Sequence, residues 1–269
     1  MKALRWAGSL LVITTLSAFQ QPFKQYPGIE HETYPLPPDY QDKTEFAFAR
    51  LMFPPGWNNG YAGRDLDWHT GISLWSQDFP PADRHFSLAL RRLSRVHVRS
   101  VEQIVNLDDG DEVYNWPWLY AVQVGEWGIT DDQAARLRDY CLRGGFFMAD
   151  DFHGTTEWSV FEESMHRVFP DRPIVEIEDA DPIFHTVYDL SDRIQIPGQA
   201  HLGLGYKADG KGAHWRGIFD DRGRIMIAAS FNSDIGDAWE YADDPYYPEK
   251  FTGLAIRIGV NYVVYAMTH

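Results

Sequence analysis

The stretch Gly144-Gly145-Phe146-Phe147-Met148-Ala149-Asp150-Asp151-Phe152-His153-Gly154 decides the fold class of this chain. The two glycines are typical of a helix end, and the four apolar residues after them predict a short buried strand. Two carboxylates and an imidazole then follow the strand directly. Because ligands of α/β proteins bind at the carboxyl ends of parallel strands, Asp150, Asp151 and His153 are candidate catalytic residues.

The residues before this stretch predict a strand and a helix that lead into it. Residues 118–124 are almost all apolar, as expected of a strand buried on both faces. Thr130 and Gln133 have the spacing of a capping box, in which two side chains satisfy backbone amides at the start of a helix. A strand, a helix and a second strand at this spacing form a right-handed unit with parallel strands. The sequence therefore predicts an α/β fold.

Other segments of the chain have the periodicity of strands or helices. Strand patterns occur at residues 45–53, 96–98, 104–107, 174–177 and in a hairpin over 217–230. Helix patterns occur at residues 81–94, 157–169 and 251–267. Residues 231–250 are predicted to be a loop. No repeat divides the chain, so we predict an extended N-terminal arm over residues 21–43 and a single α/β domain over residues 44–269.

The first twenty residues have the composition of a secretory signal peptide. Lys2 and Arg5 precede an apolar run over residues 6–19. That run is shorter than the about 20 apolar residues that a membrane-spanning helix needs. Residues 1–20 are therefore predicted to be a cleaved signal, which makes the protein periplasmic or secreted, with no membrane span in the mature chain. An uncleaved N-terminal anchor is the alternative.

Composition restricts the partners of the protein. The formal net charge is −15, and nucleic-acid binding needs clustered Lys and Arg against the phosphates. Nucleic acid is therefore excluded, whereas small polar ligands, metal ions and proteins remain. The aromatic content of 15% fits either core packing or a cleft that stacks on the rings of a ligand. Trp127 is a candidate ligand-binding residue of that second kind. The single cysteine, Cys141, is predicted to be a buried structural thiol.

Two kinds of chemistry are open to Asp150, Asp151 and His153. Carboxylate and imidazole groups suit Zn²⁺, Mn²⁺ or Fe²⁺, and two adjacent carboxylates can divide into an acid and a base. In the structural alternative, one aspartate caps neighbouring backbone amides and the other pairs with an arginine. The residues identify neither the metal nor a cofactor.

A second group of polar and aromatic residues follows the predicted strand that ends at residue 230. Asp234 is a candidate second catalytic carboxylate, and Asn232, Trp239 and Glu240 are candidate ligand contacts. The same run also fits a turn that is held by Asx hydrogen bonds. His201, in a glycine-rich stretch, is a further candidate ligand contact. The histidines at positions 69, 185, 201 and 214 lack the spacing of a metal motif.

Several motifs resemble those of the bacterial domain-of-unknown-function family 4159. They occur in order over residues 45–268 and include Trp116-Pro117-Trp118-Leu119-Tyr120, Ala149-Asp150-Asp151-Phe152-His153-Gly154, Asp181-Pro182-Ile183-Phe184, Ser230-Phe231-Asn232-Ser233-Asp234-Ile235-Gly236 and Gly259-Val260-Asn261. The resemblance implies a three-layer, flavodoxin-like α/β sandwich with a mostly parallel central sheet. It also implies a relation to class I glutamine amidotransferases and to trehalose-utilisation-type proteins, but no established activity.

The same resemblance limits the chemistry of the site. Class I glutamine amidotransferases carry a nucleophilic cysteine on a strained turn after a central strand. Judged by the pattern of two glycines and a strand, this chain has Asp150 or Asp151 in that place. Glutaminase chemistry by that route is therefore not expected.

These observations predict an exported protein that binds a small polar ligand or a metal ion at the strand end of Asp150, Asp151 and His153. Carbohydrate is the favoured ligand class. In a catalytic form, Asp151 is the general base or a metal ligand, with His153 as its partner and Asp234 as the second carboxylate. The alternative is a non-catalytic envelope or assembly module whose decayed pocket binds a protein. The first hypothesis requires the three side chains to lie within one coordination sphere, and the second expects them to point apart.

Overall fold

A computed structural model of the chain describes residues 23–56 and 67–269. The predicted signal over residues 1–20 lies outside the described residues, as does part of the connection that follows the first strand. Residues 23–43, the N-terminal arm, contain neither helix nor strand. Within the described ranges, no helix combines the length and the apolar character that a membrane crossing requires.

The centre of the protein is one seven-stranded sheet. Its strands are β1 (Ala49–Met52), β2 (Gln103–Asn106), β3 (Trp118–Ala121), β4 (Phe146–Ala149), β5 (Val175–Glu176), β6 (His214–Phe219) and β7 (Ile225–Phe231). Their order in the sheet is β2-β1-β3-β4-β7-β6-β5. All neighbours from β2 to β7 are parallel, whereas β6 and β5 extend the sheet in antiparallel pairs. The predicted α/β fold with a mostly parallel central sheet is confirmed.

Helices cover both faces of this sheet. They are α1 (Pro81–Leu93), α2 (Asp131–Leu142), α3 (Gly154–Val168), α4 (Ile235–Glu240) and α5 (Glu249–Thr268). One hydrophobic core lies between the sheet and helices α2 and α3, and a second lies between the sheet and helices α1, α4 and α5. Successive side chains of a strand point to opposite faces. Phe147 therefore belongs to the first core and Met148 to the second, which explains the continuous apolar run of β4.

Local sequence signals place α2 and β4 correctly. The capping box of Thr130 and Gln133 is present at the start of α2. The chain leaves the helix through Gly144, whose φ of 111° is a conformation that only glycine adopts at little cost. Cys141 is fully buried, as predicted, and its Sγ lies 3.9 Å from the carbonyl oxygen of Met226.

Two predictions of secondary structure are wrong. Residues 231–250 are not a continuous loop, because they contain α4. This helix is short and contains Gly236, so it shows no helical periodicity, but its first turn is capped by the side chain of Asp234. Residues 96–98 do not form a strand, since Val98 makes only an isolated bridge to Phe46.

Candidate functional site

Three neighbouring strands are each followed by a buried polar residue with left-handed backbone geometry. Gln123 follows β3, Asp151 follows β4 and Asn232 follows β7, with φ angles of 51°, 49° and 67°. Such angles are uncommon for residues other than glycine, and they collect at functional sites. Hydrogen bonds join the three turns. Gln123 Nε2 donates to Asp151 Oδ2 over 2.6 Å, and Gly154 N donates to Asn232 Oδ1 over 2.9 Å.

Asp151, His153 and Asp234 form a compact group, which we call the carboxylate–histidine trio. Each residue offers one oxygen or nitrogen, and these atoms all lie within 4.8 Å of one another. His153 Nε2 is 3.0 Å from Asp151 Oδ1, and all three residues are buried. The structure thus brings three predicted site residues into the space of one coordination sphere. Two carboxylates and one imidazole match the ligand preferences of Mn²⁺, Fe²⁺ and Zn²⁺.

Neighbouring groups keep Asp151 ionised. Burial raises its pKa, but a hydrogen bond with His153 and the charge of Lys207 outweigh burial and hold the pKa below its usual value. Lys207 Nζ lies 3.2 Å from Glu157 Oε1. Although burial lowers the pKa of Lys207, the negative charges of Asp151 and Glu157 raise it overall. Asp151 is therefore ionised, and the charged ammonium group of Lys207 lies close to it.

Asp234 has the opposite electrostatic character. Burial, and then the negative charge of Asp151, raise its pKa well above the usual value. Its Oδ1 also accepts a hydrogen bond from Asp237 N over 2.9 Å at the start of α4. Two close carboxylates with opposite pKa shifts form an acid and a base, or a pair of ligands whose repulsion a cation removes.

Asp150 has a structural role. It is fully buried, and its Oδ2 accepts three hydrogen bonds, from Tyr120 Oη (2.9 Å), Ile235 N (3.0 Å) and Gly236 N (2.9 Å). Burial, and then the charge of Asp151, raise its pKa to about 8. The carboxyl group thus connects β4 to β3 and to the first turn of α4. The geometry does not support the prediction of Asp150 as a catalytic residue and agrees with the alternative in which one aspartate caps backbone amides.

This role of Asp150 can be measured by substitution. We expect Asp150→Ala to lower the free energy of unfolding by about 3 kcal/mol, because three donors lose their acceptor in the interior. Asp150→Asn keeps an acceptor oxygen, and its loss should be about 1 kcal/mol. Urea denaturation followed by circular dichroism measures both values. Equal losses in the two variants would show that the hydrogen bonds to Oδ2 do not stabilise the fold.

The two candidate tryptophans lie in the hydrophobic cores. The ring of Trp127 is parallel to that of Phe147, with the centroids 6.0 Å apart. On the opposite face, Trp239 stacks on Phe86 with the centroids 4.4 Å apart. Both tryptophans are at most 2% exposed. The structure therefore does not place their rings where a ligand could stack on them, and core packing accounts for both residues.

The sequence model of one protein family matches most of the chain. The sequence model of a family described as a domain of unknown function (DUF4159) matches residues 69–267. The chain belongs to this family. The matched segment contains the whole carboxylate–histidine trio and begins after the N-terminal arm. No curated protein matches the sequence.

Two more predicted contacts of the DUF4159 domain have different neighbours. His201 lies in a short 3-10 helix over Gln199–His201, where the charges of Lys207 and His153 act on its imidazole. Burial, and then the charges of Lys207 and His153, lower its pKa. Glu240, at the end of α4, instead contacts the arm, and its Oε1 lies 2.5 Å from His31 Nε2. The charges of Lys207 and His153 thus act on His201, whereas Glu240 pairs with His31 of the arm.

The sequence did not single out several polar residues that this DUF4159 domain places at the site. Gln123 was visible only as a polar residue near the end of an apolar run. Lys207 lies in an irregular loop and has no motif around it. Asp78 is 1% exposed and also has a left-handed φ, of 61°. Their roles depend on which segments meet in the folded chain, so no local pattern could have identified them.

Proposed function

We propose that this protein binds a divalent transition-metal ion through Asp151, His153 and Asp234. The proposal rests on the convergence of these three side chains within 4.8 Å. They follow β4 and β7, which are parallel neighbours whose carboxyl ends meet at one edge of the sheet. The interaction-module hypothesis expects these side chains to point apart, so their convergence favours the metal site.

The charges of the site support the same proposal. Burial raises the pKa of Asp234, and repulsion from the carboxylate of Asp151 raises it further. A divalent ion would remove the repulsion and would release the proton that Asp234 holds. The imidazole of His153 favours Mn²⁺, Fe²⁺ or Zn²⁺ over Ca²⁺ or Mg²⁺, which prefer oxygen ligands.

The turn at Asp151 supports a relation to the class I glutamine amidotransferases. Asp151 lies between β4 and α3 with a φ of 49°, and the sequence resemblance relates Asp150 or Asp151 to the position of the cysteine in those enzymes. We propose that this fold keeps the strained turn and replaces the nucleophilic thiol with a metal-binding carboxylate. Thiol chemistry at Cys141 is not part of the proposal, since Cys141 is buried away from the trio in the core of α2 and α3.

The proposed ligand of the bound ion is a small, hydroxyl-rich molecule of the carbohydrate class. Three donors stand around the trio: the amide of Gln123, the ammonium of Lys207 and the imidazole of His201. A bound ion of this type polarises ligand oxygens and lowers the pKa of bound water. The signal-like composition of residues 1–20 supports a location in the periplasm or the medium as part of this proposal.

Metal analysis and calorimetric titration test the proposal. The protein is stripped with EDTA, titrated with Mn²⁺ and Zn²⁺, and compared with Asp151→Asn and Asp234→Asn. Each substitution removes one charged ligand, and we expect metal affinity to fall by at least about 100-fold. Asp132→Asn, an exposed acid on α2, is the control and should bind as the wild type does. Unchanged affinity in a folded Asp151→Asn protein would overturn the proposal.

A further inference from the structure

The N-terminal arm meets the domain at a second group of carboxylates. Glu30, Asp78 and Glu240 each offer one oxygen, and these oxygens lie within 4.8 Å of one another. Glu30 comes from the arm, Asp78 precedes α1 and Glu240 ends α4. Asp78 and Glu240 are buried, whereas Glu30 is exposed. The group, which we call the arm site, therefore opens to solvent on the side of the arm.

Two buried oxygens of the arm site have no hydrogen-bond partner among the described residues. They are Asp78 Oδ2 and Glu240 Oε2, on side chains of residues that are 1% and 6% exposed. Buried polar atoms are almost always satisfied by a donor, an ordered water or an ion. A cation bound between these two carboxylates would satisfy both atoms.

Hydrogen bonds join the arm to the segment before α1. Glu30 Oε2 accepts a hydrogen bond from Asp78 N over 3.1 Å, and Ile29 N donates to Ser76 Oγ over 3.1 Å. Asp78 has a left-handed φ of 61°, which is uncommon for residues other than glycine. The site is therefore built by an ordered contact between two segments and does not depend on mobile surface acids.

The charges around the arm site are unbalanced. Burial, and then Glu30 and Asp237, raise the pKa of Glu240 to about 8. Burial, and then Asp237 and Glu240, raise the pKa of Asp78 well above its usual value. His31 contacts Glu240 through Oε1 and leaves Oε2 unpaired. Burial and mutual repulsion thus favour the protonated carboxyl groups, and a bound cation would replace those protons.

We propose that a divalent cation with a preference for oxygen ligands, such as Ca²⁺, binds between Glu30, Asp78 and Glu240 and fastens the arm to the domain. Three carboxylates supply up to six oxygens, and Ca²⁺ takes six to eight oxygen ligands, with water completing the set. His31 hydrogen-bonds to the carboxylate of Glu240 and orients it, as groups hydrogen-bonded to metal ligands do. Glu30 lies before the segment that the DUF4159 family model matches, so the ion joins the family domain to a segment outside it.

The arm site differs in chemistry from the carboxylate–histidine trio. It has oxygen ligands only, whereas the trio includes the imidazole of His153. Ca²⁺ is therefore expected at the arm site and a transition metal at the trio. The two sites adjoin, because Asp78 also offers an oxygen within 4.8 Å of oxygens of Asp234 and Asp237, and the variants Glu30→Gln and Asp151→Asn distinguish them.

Hydrogen exchange of the full chain with and without Ca²⁺ tests the arm site. In the wild type, Ca²⁺ should slow amide exchange in residues 23–43 by at least about tenfold, because bound ligand suppresses local opening. Glu30→Gln, an exposed substitution that leaves the core untouched, should abolish this protection. Glu32→Gln, on the same arm and also exposed, is the matched control and should retain it, as should Asp151→Asn.

Three results would overturn this proposal. The first is the absence of any Ca²⁺-dependent protection of the arm in the wild type. The second is equal protection in Glu30→Gln and Glu32→Gln, which would place the ion elsewhere. The third is protection that persists in Glu30→Gln and disappears in Asp151→Asn, which would assign the calcium ion to the trio. Calorimetric titration with Ca²⁺ on the same proteins gives the affinities, and Glu30→Gln should weaken binding by at least about tenfold.

Discussion

Saturating Mn²⁺ is expected to raise the free energy of unfolding of the wild-type protein by about 4 kcal/mol at a free concentration about 1,000 times the dissociation constant. The reason is that the carboxylate–histidine trio exists only in the folded chain, where β4 and β7 bring Asp151 and Asp234 together. A ligand that binds the native state alone stabilises it by mass action. Urea denaturation in EDTA and in Mn²⁺ measures the difference.

The effect of Mn²⁺ should also depend on pH. The pKa of Asp234 is raised, so this group holds a proton at low pH, and the proton competes with the metal. Stabilisation by Mn²⁺ should therefore be small in acid and grow as the pH rises through that raised pKa. The double variant Asp151→Asn, Asp234→Asn is the control and should show no stabilisation at any pH. Equal stabilisation in the double variant would show that Mn²⁺ binds at another place.

Replacing Arg50 with methionine is expected to lower the free energy of unfolding by about 3–5 kcal/mol, because the substitution leaves a buried charge without its partner. Arg50 lies on β1 and is fully buried, as is Asp83 of α1. Its Nε lies 3.1 Å and 2.9 Å from the two carboxylate oxygens of Asp83. Its Nη1 also donates to the carbonyl oxygens of Trp75 and Gln77, next to Asp78 of the arm site.

Two further variants separate the possible causes of this loss. Arg50→Met combined with Asp83→Leu removes both charges, and much of the lost stability should return. Arg143→Met breaks an exposed ion pair with Asp139 on α2 and should cost less than about 1 kcal/mol. Thermal and urea denaturation measure all three proteins. If Arg50→Met and Arg143→Met lower the free energy of unfolding equally, the buried ion pair stabilises the fold no more than the exposed pair does.

The parts of the fold that local sequence encodes were predictable. Thr130 and Gly144 mark the ends of α2, and the apolar run of β4 shows that the strand is buried on both faces. Once the strands were known to be parallel, the position of Asp151 and His153 at the carboxyl end of the sheet followed. The convergence of Asp234 with them was a hypothesis from its place just after a predicted strand, and the geometry agrees with it.

Other features depend on contacts between distant segments and have no local pattern. The arm site joins Glu30 to Asp78 and Glu240, which are far apart in the chain. Helix α4 escaped prediction because six residues are too few to show a period. Trp127 and Trp239 were candidate ligand contacts. The sequence alone does not distinguish an aromatic residue that lines a cleft from one that lies in the core. Only the packing of the folded chain distinguishes the two.

The position of Cys141 has a practical consequence for spectroscopy. It is the only cysteine of the chain, it is fully buried, and burial raises the pKa of its thiol. Maleimide dyes react with accessible thiolates, so this residue should remain unlabelled in the folded protein. A cysteine introduced on the arm by Leu36→Cys, at a position that is 38% exposed, would then be the single labelling site. A fluorophore there would follow the docking of the arm in real time, with no need to alter the native cysteine.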